Sequence, residues 1–332
     1  MNFKYDNVYI NSTGSVVGPY EDNGPLSKYF DMSYDDFYFG RNSWELAEAK
    51  LIEDSVDVAL NKYRLTKNDI DVHISGDLLN QIVATNYAAI STNIPLVGIY
   101  GACSTSVLGL ILGSNMIEAK QIKRCLCSTS SHNAAAEKQF RYPVEYGGPK
   151  PKTLTFTSTG GVTALLSSDK KGIKVESGTI GRVMDMGVTD VFNMGAVMAP
   201  AAGDTLNRHL KLNNRNPEYY DLIITGDLGV YGEKIFKEYV YKEYGYKLNN
   251  YIDSGTLLYD REKQPVYAGA SGPACLPLVT YGYIFNKMQK GEYKRVLIIA
   301  TGALMNPSMV NQKYSIPSIA HALSLEVIKW YI

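Results

Sequence analysis

The 332 residues are 45% hydrophobic, enough for about two structural units and a real core, which excludes a disordered or fibrous chain. Charges balance at 33 Lys+Arg against 33 Asp+Glu, so no overall field draws nucleic acid or another polyanion, and an anionic ligand requires a local basic cluster. Four cysteines without a regular framework point to reduced thiols in a cytosolic-type compartment, and Cys125 and Cys127 lack the nearby partners of a zinc site. No amino-terminal stretch reads as a signal peptide, and no run approaches the roughly 20 apolar residues of a membrane span. Any meeting with a membrane is then expected from the side or through a partner.

In chain order, Val8 to Val17 reads as a strand, followed by a Gly/Pro-rich loop, Gly14 to Pro25, expected to wrap over a surface. A helix is predicted from near Asn42, with Asn42 as cap, Glu45 three residues on, and Ile52, Val56, Ala59 and Tyr63 on one face. Asp71 to Leu79 is a short buried strand ending in a Gly-Asp turn, and Asn80 to Ala89 reads as helix. Ile94 to Ile99 then reads as a buried strand, and Val107 to Ile117, apolar nearly all round, as an interior helix. Between them lies Tyr100-Gly-Ala-Cys-Ser-Thr-Ser-Val-Leu-Gly109, the stretch around which the chain is organised. A cysteine at such a strand-to-helix turn meets the positive end of the helix dipole, which lowers a thiol pKa and makes a nucleophile. The alternative is a small buried thiol under a Gly-Ala turn.

The second half repeats the plan. Asp221-Leu-Ile-Ile-Thr-Gly-Asp-Leu-Gly229 echoes the Asp71 phrase 150 residues on, and Lys294-Arg-Val-Leu-Ile-Ile-Ala300 echoes Lys123-Arg-Cys-Leu-Cys-Ser-Thr129 171 residues on. The difference falls as an insertion around 240 to 260. Strands alternating with helices in two similar halves, 1–170 and 171–332, predict an α/β fold of layered sheets whose pseudo-two-fold brings both turns together.

The Gly-Ala-Cys-Ser turn opening a buried helix, within two α/β halves, resembles the thiolase and β-ketoacyl synthase superfamily. That resemblance implies a thiolase-like αβαβα sandwich. Within it, Gly101-Ala-Cys-Ser-Thr-Ser106, Ser130-Ser-His-Asn-Ala-Ala135, Glu137-Lys-Gln-Phe-Arg-Tyr-Pro143, Glu145-Tyr-Gly-Gly148 and Ile180-Gly-Arg-Val-Met-Asp-Met-Gly187 resemble the stage V sporulation protein AD family. Phe192-Asn-Met-Gly195 and Met198-Ala-Pro-Ala-Ala202 also fit it, and the resemblance runs from Asn11-Ser-Thr-Gly14 through Ile319-Ala-His-Ala322.

Claisen-type condensation needs a thiolate and two side chains, His with Asn or His with His, on the thioester oxygen. By resemblance to type III synthases, Gly226 stands where their histidine falls and Ala270 where their asparagine falls; on thiolase lettering, Ser271-Gly-Pro273 replaces Gly-His-Pro. Only His73, His132, His209 and His321 exist; His73 reads as a core residue, His209 as part of a solvated helix, and His321 as a possible approach to the site. The expectation is a pocket retained without its reaction. The competing expectation is an acyltransferase acting through Cys103, with His132 or His321 as base.

Ser130 to Arg141 follows the strand after the central helix, where α/β sheets bind ligands. His132, Lys138 and Arg141 bring donors suited to a small planar dianion, Arg141 as a two-bond fork; alternatively Lys138 and Arg141 pair with Glu137 or Glu145. Asp77 could orient His132, bridge to Arg141, or serve the fold as its match Asp227 suggests. The family resemblance implies binding of dipicolinic acid (pyridine-2,6-dicarboxylate), free or as its calcium chelate, and its loading into the developing spore with stage V membrane proteins of the same operon. On that implication His132, Lys138 and Arg141 take the carboxylates, Cys103 and the Gly101 turn face the ring, and Asn193 stands at the rim. No cofactor or resident metal is expected, since calcium would arrive with the ligand. A homodimer and a peripheral place on the spore inner membrane are the remaining implications.

Overall fold

The computed structural model describes residues 1–140 and 150–327. Its main strands, in chain order, are β1 (Tyr9–Val17), β2 (Val72–Gly76), β3 (Leu96–Gly98), β4 (Arg124–Ser131), β5 (Gly160–Ser167), β6 (Ile173–Ile180), β7 (Leu222–Thr225), β8 (Tyr251–Asp253), β9 (Arg295–Ala303) and β10 (Ser318–Val327). The principal helices are α1 (Trp44–Tyr63), α2 (Val83–Thr92), α3 (Thr105–Glu118), α4 (Asn133–Phe140), α5 (Met194–Asn213) and α6 (Gly229–Tyr244). A last helix, α7, runs through Cys275–Leu278, a π-helical turn Val279–Ile284, and Phe285–Gln289.

These strands lie in the order β8-β7-β9-β10-β6-β1-β5-β4-β2-β3. Strands β1 to β5 and strands β6 to β10 therefore follow the same path, and the two paths join where β6 pairs antiparallel with β1, Ile10 opposite Ile173. In both, the outer pairs are parallel and the inner pairs antiparallel. The repeated phrases are the two ends of one interaction. Asp71 Oδ2 accepts from the backbone N–H of Lys123 (2.7 Å) and Arg124 (2.9 Å), and Asp221 Oδ2 accepts from that of Lys294 (2.7 Å) and Arg295 (2.8 Å). One carboxylate thus fixes where β4 starts beside β2, and another where β9 starts beside β7.

The two-residue alternation of a strand sends its side chains to opposite layers. On β9, Val296 and Ile298 join the core formed with α3 and α7, whereas Leu297 and Ile299 pack against α5 and α6. On β4 and β5, Cys125, Cys127, Ala164 and Leu166 face the central helices, and Leu126 and Leu165 face α1 and α2. Helix α3 is covered by strands of both halves, so it needs apolar residues on every side. Val107, Leu110 and Ile111 are fully buried, each worth about 1.5–3 kcal/mol in area removed from water.

Several local expectations change. The cap of α1 is Ser43, whose hydroxyl accepts from Leu46 N at 3.3 Å, one residue beyond Asn42. The Gly14–Pro25 stretch does not wrap a surface: it continues β1, then turns through a short helix, Pro19–Asp22, that buries Glu21 against Thr159 and Tyr259. Ile94–Ile99 is not a buried strand, because among the described residues β3 is an end strand of the sheet and Val97 is 39% exposed. Helix α5 is not solvated at His209, which is buried between Thr179 Oγ1 (2.7 Å) and Tyr220 OH (2.8 Å).

Candidate functional site

The site begins with the turn Ala102–Ser104 that links β3 to α3. Ala102 takes a left-handed conformation (φ 49°), which costs a residue with a side chain about 1 kcal/mol or more and persists only where the surroundings impose it. They do so here. The Gly101 carbonyl accepts from Ser104 N (3.0 Å) and Ser104 Oγ (2.6 Å), and Thr105 Oγ1 accepts from Gly101 N (3.0 Å) while donating to Ala102 O (2.7 Å). The turn also lies against β9, where a Cβ on Gly302 would come within 2.4 Å of Gly101 O. The chain can pass there only as glycine.

Held this way, Cys103 opens into a cavity of about 40 Å³, room for about three waters. Its walls include Leu78, Phe140 and Ala303 and three methionines, Met194, Met198 and Met305. Methionine walls adapt to what enters, since the thioether chain is unbranched and rotates freely. Ser271, Thr157 and Asp227 supply polarity, and Asp227 is the one charged side chain lining the cavity among the described residues.

Asp227 ends the β7 strand as Asp77 ends β2, but the two differ in use. Asp77 is engaged by backbone, accepting from Leu79 N (2.9 Å) and Thr85 N (2.7 Å). Asp227 accepts from Thr301 Oγ1 (2.7 Å) and Gly272 N (3.1 Å), and it borders the same cavity as Cys103. Burial raises the Asp227 carboxyl to about 6 against the opposing effect of these donors. Burial, then the adjoining Asp227 charge, pushes the Cys103 thiol well above its ordinary value. Loss of water and a neighbouring carboxylate thus act against the start of the helix, which alone would favour the thiolate.

Of the predicted ligand residues that are described, His132, Lys138, Asp77 and Asn193 do not line the cavity at Cys103. His132 is buried, its Nε2 on Phe37 O (2.8 Å), its Nδ1 accepting from Ala135 N (3.4 Å), its ring against Phe37 and Phe39. Burial lowers it to about 4, so it stays neutral and points away from the cavity. Lys138 is exposed and pairs with Glu45 at 2.7 Å, neither of the acidic partners expected for it. Among the described residues Asp77 touches neither His132 nor a cation, its oxygens being engaged by Leu79 N and Thr85 N. Asn193 caps α5, accepting from Ala196 N at 3.3 Å, one residue short of the lining Met194. Gly101 faces β9 rather than the cavity. Arg141, with Glu145, lies outside the described residues.

Among the described residues no imidazole borders the cavity. His321 is buried with Nδ1 accepting from Gly181 N at 3.4 Å, and His73 sits mid-strand on Ser128 Oγ at 2.8 Å, as a core residue should. Gly226 brings no side chain, and Ala270 is buried in a short strand pairing with Phe156. Sequence reasoning missed Asp227 by one residue, having stopped at Gly226 in the same turn. The methionines carried no signal, because they come from α5 and from the chain after β9.

Among the described residues no three His, Cys, Asp or Glu side chains cluster as a metal site, and no helix is long and apolar enough to cross a membrane.

Comparison with known proteins bears on fold and family. The family model described as stage V sporulation protein AD (SpoVAD) matches residues 1–326. The stage V sporulation protein AD of Bacillus subtilis (strain 168) is 48% identical over 319 residues, covering 96% of this chain and 94% of that protein. Among solved structures, 3-oxoacyl-[acyl-carrier-protein] synthase III from Aquifex aeolicus VF5 superposes with a TM-score of 0.59 at 13% identity, over 96% of this chain and 100% of that one. Cerulenin-bound OleA of Xanthomonas campestris superposes with a TM-score of 0.62 at 12% identity, over 98% of both chains. At such identities these likenesses show the fold alone, and the fold is thiolase-like.

Proposed function

This chain belongs to the stage V sporulation protein AD family, and on that premise we propose that it binds a small molecule in a former condensing cavity rather than joining acyl groups there. The observation that carries the reading is the partner of Cys103. A condensing site needs a thiolate with an imidazole or amide over the thioester oxygen. Here the sulfur faces a carboxylate, which neither stabilises a thiolate nor donates to an oxyanion when ionised.

The ligand proposed is dipicolinic acid, taken up into the developing spore together with membrane partner proteins. Asp227 bears on its form. A carboxylate in an apolar cavity repels a free dianion, whereas the calcium chelate presents a cation with open coordination positions that a carboxylate oxygen suits. The chelate is therefore the favoured form among the described walls, and the methionines are the side chains that make room for it. The protein is proposed to lie peripherally on the spore inner membrane. It is also proposed to act as a homodimer, joined along the open edge of β3, where Tyr87, Ile90, Val97 and Tyr100 are exposed.

Calorimetric titration of dipicolinate with and without equimolar calcium tests this. Saturable binding, tighter with calcium, is expected, and Asp227→Asn should narrow the difference between the two. His132→Gln and Lys138→Ala should leave affinity unchanged, since neither faces the cavity. Absence of saturable heat for both forms up to millimolar ligand overturns the binding reading. An adduct on Cys103 after incubation with a radiolabelled acyl thioester would instead favour acyl transfer.

A further inference from the structure

A second cavity lies away from Cys103, between β1, the turn Ser27–Tyr29, the end of α1 and the widened part of α7. It is an open groove of about 360 Å³, within the size range of small-molecule sites. Its shape follows from two local irregularities. The register of β1 against β5 shifts between Ile10 and Ser12, and α7 passes through a π-helical turn, a feature frequent at functional sites. Within that turn a Cβ on Gly282 would fall 2.5 Å from Tyr29 O, so only glycine lets the Ser27–Tyr29 turn close this side of the groove.

The groove's polar groups divide into those already used and those left over. Asn11 is engaged by Asp169 O, Lys171 O and Ser167 Oγ, and Ser12 Oγ by Ala59 O. Lys62 is held by Asp31 (2.6 Å) and by Thr13 O (2.8 Å). Left over, without a hydrogen-bond or ion-pair partner among the described residues, are the Lys28 ammonium and the Asn286 and Gln289 carboxamides, together with the hydroxyls of Thr13, Tyr29 and Tyr281. Lys28 lies over the Tyr29 ring, 5.2 Å from its centroid, and among the described residues no carboxylate lines the groove. Tyr281 and Phe285, with ring centroids 5.5 Å apart, complete the apolar lining. A cation without an ion pair, two free amides and aromatic rings suit one kind of guest, the one nearby carboxylate named above, Asp31, being spent on Lys62.

We propose that this groove is a second binding site, for a small planar carboxylate, its anionic end on Lys28, Asn286 and Gln289 and its ring against the aromatic wall. The test is calorimetric titration with benzoate, and with inorganic phosphate as an anion without a ring. Saturable benzoate binding is expected, tighter than phosphate and weakened roughly tenfold in Lys28→Gln, the size of one lost charge-assisted hydrogen bond. Because Lys28 makes no ion pair or hydrogen bond among the described residues, that variant keeps its fold. Cys103→Ala and Asp227→Asn should bind benzoate as the wild type does. The proposal is overturned if no binding saturates, if phosphate binds as tightly as benzoate, or if Lys28→Gln is without effect. A change of the heat in Asp227→Asn, with none in Lys28→Gln, would assign it to the Cys103 cavity and equally overturn the second site.

Discussion

Asp227 is drawn out of water, and it borders the cavity into which the half-buried Cys103 opens. The raised Asp227 carboxyl, about 6 against an ordinary value near 3.8, has a consequence for stability that can be measured. The folded protein holds a proton that the unfolded chain releases, so this group favours folding below its unfolded value. That contribution fades as pH rises through about 6, a difference on the order of 3 kcal/mol. Asp227→Asn removes the titration while keeping the shape. Its melting temperature relative to wild type should therefore rise between about pH 4 and pH 7; a pH-independent difference would show that Asp227 is not strained by ionisation. His132 illustrates the opposite lesson. Its position after β4 is as expected, but its ring turns to Phe37, whose carbonyl in the loop before α1 gives the buried imidazole a hydrogen-bond partner.

Among the elements, the paired roles of Asp71 and Asp221 explain why two separate phrases recur in each half. Each carboxylate spans the gap between parallel neighbours by taking two consecutive N–H groups at the start of the next strand, a role that needs Asp at one end and the first residues of the strand at the other. Asp221→Ala should destabilise by about 1–2 kcal/mol, reduced from the buried value of two charge-assisted bonds because the carboxylate is exposed to water. Asp71→Ala should cost the same within error. Urea unfolding midpoints of the two variants check this, and a large inequality would mean that the two halves do not use the motif alike.

For the whole molecule, β3 is one of the two end strands of the sheet among the described residues, and exposed apolar side chains flank it. An edge strand beside exposed Ile90 (75%) and Tyr87 (52%) on α2 invites pairing with another strand. If the proposed homodimer forms there, Ile90→Glu should shift the protein from dimer to monomer in sedimentation velocity while leaving far-ultraviolet circular dichroism unchanged. A wild type that sediments as a monomer at tens of micromolar removes the proposal. The same edge also explains why Ile94–Ile99 reads as buried: a run rich in β-branched residues carries no mark that distinguishes a covered strand from one awaiting a partner.

The order of strands and helices as far as α3, the interior character of that helix, the repeated phrases and the family were legible in the chain itself, because periodicity, turn residues and repeats are local properties that survive any arrangement in space. Which side chains meet Cys103 was not legible. Asp227 comes from the other half, Met194 and Met198 from α5 and Met305 from beyond β9, so their meeting depends on the pseudo-two-fold. Conversely, His132 and Lys138 stand close to the cavity in sequence but were turned from it by Phe37 O and Glu45. Even the charge of the sulfur depended on folding, since the pull of a helix start is local whereas desolvation and a facing carboxylate exist only once the halves have closed.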